Sequence, residues 1–184
     1  MKYRLVVNSY LDPDPVRNAE LVEAAVVNAG VFDEVQPVSG RPTFAELFAV
    51  ANRLTAPDDI NVIANTDVSF DDTIRAADDN LDIGECWALS RDDNHSADSQ
   101  DAWVFYGPII VPPECDFAAG IPGCDNRLAF LLDQVGYRLT NPCHTVRVRH
   151  HHASGIRRYH RRFDLVRGPY KMIPPQAIGP KVWS

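Results

Sequence analysis

Five groups of residues in this chain have types and spacings that chemistry could use. The first centres on Asp67, with Asn65 and Asp71 nearby, just after the apolar run Ile60–Ala64. Ligands of open parallel sheets bind beyond the carboxyl ends of strands. Oxygen donors placed there suit Mg²⁺ or Mn²⁺ bridging to a phosphate. The same residues would also serve as a turn that caps the following helix. The second group is Gly120-Ile121-Pro122-Gly123-Cys124-Asp125-Asn126. Glycines let backbone approach a ligand, and a helix starting there offers unpaired N–H groups. Asp125 is then a candidate base or a binder of sugar hydroxyls. In the plainer reading, Asp125 or Asn126 is an N-cap.

The third group is His150-His151-His152. On an extended backbone His150 and His152 share a face and His151 takes the other. The first and third can therefore ligate a metal or bind phosphate, unless the triplet is only a polar surface. The fourth is Arg157-Arg158-Tyr159-His160-Arg161-Arg162. Guanidinium forks recognise phosphate, a tyrosine among them can stack on a base, and the pattern also fits nucleic acid or a solvated arm. The fifth is Asp101, which precedes Trp103 and Phe105. Those aromatics could form a platform for a sugar or simply belong to the core.

The elements that must position these groups follow from hydrophobic patterning. Tyr3–Asn8 reads as a buried strand. Val16–Ala29 has helical spacing, with Asp14 as N-cap, Pro15 at the first helical position and Gly30 suited to the end. A short strand follows at 31–38. Thr43–Leu54 then reads as a helix in which Thr43 and Glu46 are spaced as a capping box. Ile60–Ala64 looks like a central parallel strand. Further along come a polar helix-like segment at 73–80, a strand at 86–90 and a soft polar stretch at 91–100 that is the best candidate for a mobile loop. An extended aromatic segment at 102–111, a helix at 127–135 and strands at 137–142 and 145–149 complete the regular part. This alternation predicts an α/β fold with a mostly parallel sheet. The expected organisation is an α/β domain over residues 1–152 and a basic arm or lid over 153–184.

Composition bounds the function. The 184 residues are 45% hydrophobic and 23% charged, enough for one core without metal or disulfide support. No stretch approaches the ~20 apolar residues of a membrane span. The N-terminal apolar run is too short for a signal peptide. A soluble, cytoplasmic protein is expected. Cys86, Cys115, Cys124 and Cys143 are scattered without a C-x-x-C pair, which indicates neither a zinc knuckle nor a thioredoxin-type site; reduced thiols are expected. Charge is uneven. Residues 1–143 hold 9 Lys and Arg against 24 Asp and Glu, whereas residues 144–184 hold 9 against 1. The basic end suggests contact with an anion, or neutralisation of the acidic body.

The order of these pieces resembles a short glycosyltransferase-like protein of the GT-A type, over roughly residues 1–160. The features that carry the likeness are strand–helix–strand–helix–strand, Ala64-Asn65-Thr66-Asp67, Ser99-Gln100-Asp101-Ala102-Trp103, Gly120–Asn126 and a late histidine. The resemblance implies a three-layer α/β/α sandwich that binds a nucleoside-diphosphate sugar and passes the sugar, of hexosyl or other type, to an acceptor. It implies a divalent cation, Mn²⁺ or Mg²⁺, on Asp67 and His150, with His152 as alternate. It implies donor contacts at Asn8, Asn65, Gly120, Gly123, Arg157 and Arg158, and Asp125 as the carboxylate facing the acceptor. Two positions depart from the family pattern: Asn65 replaces the first carboxylate of an Asp-x-Asp, and Cys124 stands where a Glu-Asp pair has Glu. The rivals are a nucleic-acid-directed enzyme or binder working through the arm, such as a sugar transferase acting on modified DNA bases, and a non-catalytic nucleotide-sugar or metal-binding module.

Overall fold

The computed structural model describes residues 1–160 and 162–179. The first half alternates as the patterning requires: β1 (Tyr3–Ser9), α1 (Pro15–Val31), β2 (Glu34–Ser39), α2 (Phe44–Leu54) and β3 (Ile60–Ala64). Asp14 caps α1, accepting from the N–H groups of Val16 and Arg17, with Pro15 next to it. Thr43 and Glu46 form the reciprocal capping box of α2. The helix α1 runs through Gly30 to Val31 and stops when the Phe32 N–H closes back on the Asn28 carbonyl, so Gly30 does not end it.

The second half is more irregular. A short strand β4 (Val68–Phe70) leads into a 3₁₀ turn (Asp72–Ala76) and the single-turn helix α3 (Ala77–Asn80). Then come β5 (Glu85–Leu89), β6 (Ala102–Tyr106), α4 (Cys124–Gln134), β7 (Arg138–Thr140) and β8 (Val148–His150). Six strands form one mixed, mostly parallel sheet in the order β2-β1-β3-β6-β5-β7. Pairing is parallel except where β6 meets β3 and β5, so β6 alone runs against the other five. A separate antiparallel ribbon joins β4 and β8.

Strand alternation splits the core in two. One face carries Val6, Ile63, Trp103 and Phe105 and is covered by Phe44, Leu47 and Phe48 of α2 and by Leu128 and Leu132 of α4. Trp103 and Phe105 are therefore core, 1% and 0% exposed, and form no platform for a sugar. The other face carries Leu5, Val62, Trp87 and Val104 and is covered by the β4–β8 ribbon, Ile74 and Leu81. The helix α1 lies over β4, where Asn28 donates to the Val68 carbonyl at 2.8 Å and accepts from the Phe70 N–H at 3.1 Å.

Residues 153–160 and 162–179 follow the body without a helix or strand of their own. The Val166 N–H donates to the Pro122 carbonyl, the Lys171 N–H to Asn126 and the Ile173 N–H to Ala97. Ile173 reaches the core at 2% exposure. Arg161 and residues 180–184, predicted as part of the arm, lie outside the described residues. All four cysteines are buried and free. Among the described residues no helix is long and apolar enough to cross a membrane.

Candidate functional site

A cavity of about 300 Å³ opens at the carboxyl ends of β1 and β3. The ten residues to which the resemblance assigns metal, donor or acceptor roles all line it, on two different walls.

The first wall is built by the β4–β8 ribbon. Its register pairs Val68 with His150, and the His151 N–H donates to the Asp67 carbonyl at 2.7 Å. Two segments far apart in sequence thereby meet. His150 Nε2 lies 3.1 Å from Asp67 Oδ2, and His152 Nδ1 lies 4.0 Å from the same oxygen. The rings of His150 and His152 stack with centroids 5.1 Å apart. His151 points the other way and shares a 2.8 Å hydrogen bond with Ser69 Oγ, as alternation requires.

Two arginines that the sequence reading passed over complete this wall. Arg17, 4% exposed, reaches from α1 to Asp67 Oδ2, Glu20 Oε2 and the His151 carbonyl. Arg91 donates through Nη1 to His150 Nδ1 at 2.8 Å. A guanidinium can only donate, so Nδ1 accepts and the ring's proton sits on Nε2, facing Asp67. Burial alone would raise the Asp67 pKa, but His150 and the Arg17 guanidinium outweigh it and hold the carboxyl down at about 2. Burial and the nearby Arg17 charge lower the pKa of His152.

These residues fit a divalent cation. One carboxylate oxygen and two imidazole nitrogens lie within 4.8 Å of one another. His152 Nδ1 is buried with no hydrogen-bond partner, and a lowered pKa favours the neutral ring that a metal ligand must be. A cation entering here competes with Arg17 for Asp67 Oδ2 and, to bind His150 Nε2, requires the ring proton to move to Nδ1, which gives up the Arg91 hydrogen bond.

The second wall is the start of α4. Gly123, not Asp125 or Asn126, is the N-cap, with φ +77°, and Asp125 sits in the first turn facing Asp101. Both carboxylates titrate high. Burial and the neighbouring Asp101 charge push Asp125 up to about 7, and burial raises Asp101 as well. Asp101 Oδ2 is buried and has no hydrogen-bond partner, while Cys124 Sγ lies 3.1 Å from Asp125 Oδ1.

Other predicted residues border the cavity with partners already in place. Asn8 Oδ1 accepts from the Thr66 N–H at 2.8 Å, which fixes the loop carrying Asp67. Gly120, at φ +74°, makes room for Asn65: a Cβ there would lie 3.2 Å from Asn65 Oδ1. A Cβ on Gly123 would lie 2.8 Å from the Val166 carbonyl. Both glycines thus admit close approach by protein rather than by a ligand. Arg158 forms a two-pronged pair with Asp12, Nε to Oδ2 at 2.9 Å and Nη2 to Oδ1 at 2.6 Å. That pair occupies the guanidinium expected on a diphosphate and draws the Asp12 pKa down to about 2. Arg157 is exposed and donates to Tyr159 Oη at 3.0 Å. Asp71 lies away from the cavity, capping the 3₁₀ turn and pairing with Arg147.

Arg17 was detectable in principle. Arg17, Glu20, Leu21, Ala24 and Asn28 form the buried stripe of α1, and charged residues at those helical positions mark a face turned toward something polar. No protein-family model and no curated protein matches the chain.

Proposed function

We propose that this protein is a glycosyltransferase of GT-A type, moving a sugar from a nucleoside-diphosphate donor to an acceptor hydroxyl. The observation that carries this reading is the meeting, on one cavity, of a carboxylate held ionised beside two imidazoles and a second carboxylate that titrates near neutrality.

In this reading the diphosphate lies against the first wall and the acceptor against the second. Asp67, His150 and His152 hold a divalent cation, which would supply charge neutralisation for the departing nucleoside diphosphate. Arg41, Arg91 and Arg157, which line the same cavity, add donors to the phosphate oxygens. Asn8 and Asn65 support the loop over which the donor sits. Asp125 takes the proton of the acceptor hydroxyl as the new glycosidic bond forms, and a pKa near 7 suits that role at neutral pH. Burial and the Asp101 charge keep this pKa high against the opposing pull of Arg91.

The test is a thermal-shift panel of nucleoside diphosphates and their sugars, with and without Mn²⁺, followed by assay of nucleoside-diphosphate release. One nucleotide should stabilise the protein in a metal-dependent way, and Asp67→Asn should lose the metal-dependent part. If no nucleotide sugar shifts the melting temperature, the reading fails. Binding without turnover would instead support a non-catalytic nucleotide-sugar module. The exposed Arg157 beside Tyr159 at the cavity rim favours one variant of the proposal, in which the acceptor is a nucleic-acid base. Salt-dependent binding to DNA or RNA would support it.

A further inference from the structure

We propose that His95, Cys143 and His144 form a zinc site, separate from the Asp67 cluster, that fastens the 91–100 loop to the segment between β7 and β8. One nitrogen from each imidazole and the Cys143 sulfur lie within 4.8 Å of one another. The rings of His95 and His144 meet edge to face, with centroids 4.8 Å apart. Cys143 is 2% exposed while both histidines are exposed, so sulfur forms the floor of the cluster and imidazoles its rim.

The chemistry selects the ion. A thiolate with two imidazoles is a borderline-to-soft donor set that favours Zn²⁺ over the hard cations held by oxygen. Zinc bonds of about 2.3 Å to sulfur and 2.0–2.1 Å to nitrogen imply ligand atoms roughly 3.4–3.6 Å apart in a tetrahedron. Small rotations of two exposed imidazoles cover the difference. Three protein ligands leave the fourth position to water. Binding converts the Cys143 thiol to a thiolate and releases one proton to solvent.

The framework under the cluster is already rigid on one side. Asn141, fully buried, accepts from the Ser90 N–H at 3.0 Å and donates to Ser90 Oγ at 2.8 Å. The His144 N–H donates to the Gln176 carbonyl at 3.2 Å. His95, by contrast, stands on the polar loop that follows Ser90. That loop delivers Arg91 and Ser99 to the cavity. Zinc at this point holds a loop that lines the site without itself entering the cavity, and the inference stands whether or not the protein transfers sugars.

The full-length protein, stripped with a chelator, is titrated with Co²⁺ and then with Zn²⁺. A sulfur-to-cobalt charge-transfer band should appear and be displaced by Zn²⁺. Cys143→Ser should abolish the band, and Asp67→Asn should leave it. His95→Ala, an exposed loop change that leaves the core untouched, should weaken Zn²⁺ binding by at least about 10-fold, the lower end of what losing even a ligand's supporting partner costs. Bound Zn²⁺ should also slow proteolysis within residues 91–100. The proposal is overturned if the wild type shows no sulfur-to-cobalt band, if the band survives Cys143→Ser or disappears in Asp67→Asn, or if His95→Ala binds Zn²⁺ as tightly as the wild type.

Discussion

The two walls of the cavity hold the same functional group in opposite states. Asp67 faces Arg17 and His150 and gives up its proton at about pH 2; Asp125 faces Asp101 and keeps its proton to about pH 7. Both sit in protein surroundings that disfavour charge, so burial alone does not separate them. The difference lies in the neighbours: two cationic or donating side chains on one wall, and a second carboxylate on the other. A site that needs a fixed anion and a movable proton within one cavity can obtain both from aspartate by this arrangement.

The sharpest way to break this comparison is at Asp125. Asp125→Asn should lower turnover by about 10²–10⁴-fold and leave the metal-dependent thermal shift intact; equal activity would remove the residue from the chemistry. Arg17→Met should come next. It strips the buried partner from Asp67 and Glu20, which costs about 3–5 kcal/mol, read as a lower urea midpoint. A smaller effect is expected from Asp101→Asn. Losing that negative charge lowers the Asp125 pKa, so the rising limb of the pH–rate profile should move to lower pH, and a profile that stays in place would show that the two carboxylates are uncoupled.

Stability against pH sharpens the same contrast with opposite signs. Asp125 binds its proton more tightly folded than at its ordinary value of 3.8. Its contribution is complete below about pH 4 and is lost as pH rises toward 7. Asp67 contributes above its ordinary value, and that part is lost as pH falls toward 2. Urea titrations at pH 5 and pH 8 should show a smaller loss of stability for Asp125→Asn than for the wild type. The smallest effect, and the control outside both walls, is Thr43→Ala, which removes a capping-box oxygen and should cost about 1 kcal/mol.

Much of the scaffold was legible because local signals agreed with one another. Asp14-Pro15 and Thr43…Glu46 start their helices where the caps say, and the apolar run at β3 is central in the sheet. The alternation of His150 and His152 against His151 also followed from strand geometry alone. What local signals could not supply was pairing across distance. The ribbon β4–β8 has only three residues in each strand, too few for a periodic pattern, yet it brings His150 to Asp67. Gly30 misled because tertiary packing carries α1 past a residue that often ends helices. Arg158 read as a free guanidinium because nothing local links it to Asp12. Cysteine spacing could not point to the proposed zinc cluster, since His95 joins Cys143 and His144 only through the fold.

The ribbon register has a consequence for how this chain can vary. Val68 pairs with His150, and successive residues of a strand face opposite sides. An insertion or deletion of one residue between 144 and 149 that left the pairing frame unchanged would turn the neighbouring side chain toward Asp67 and send both flanking imidazoles to the far side. A change of two would restore the facing. Length variation in this stretch is therefore governed first by parity: even steps keep the imidazoles on the Asp67 side of the ribbon, and odd ones send them to the other.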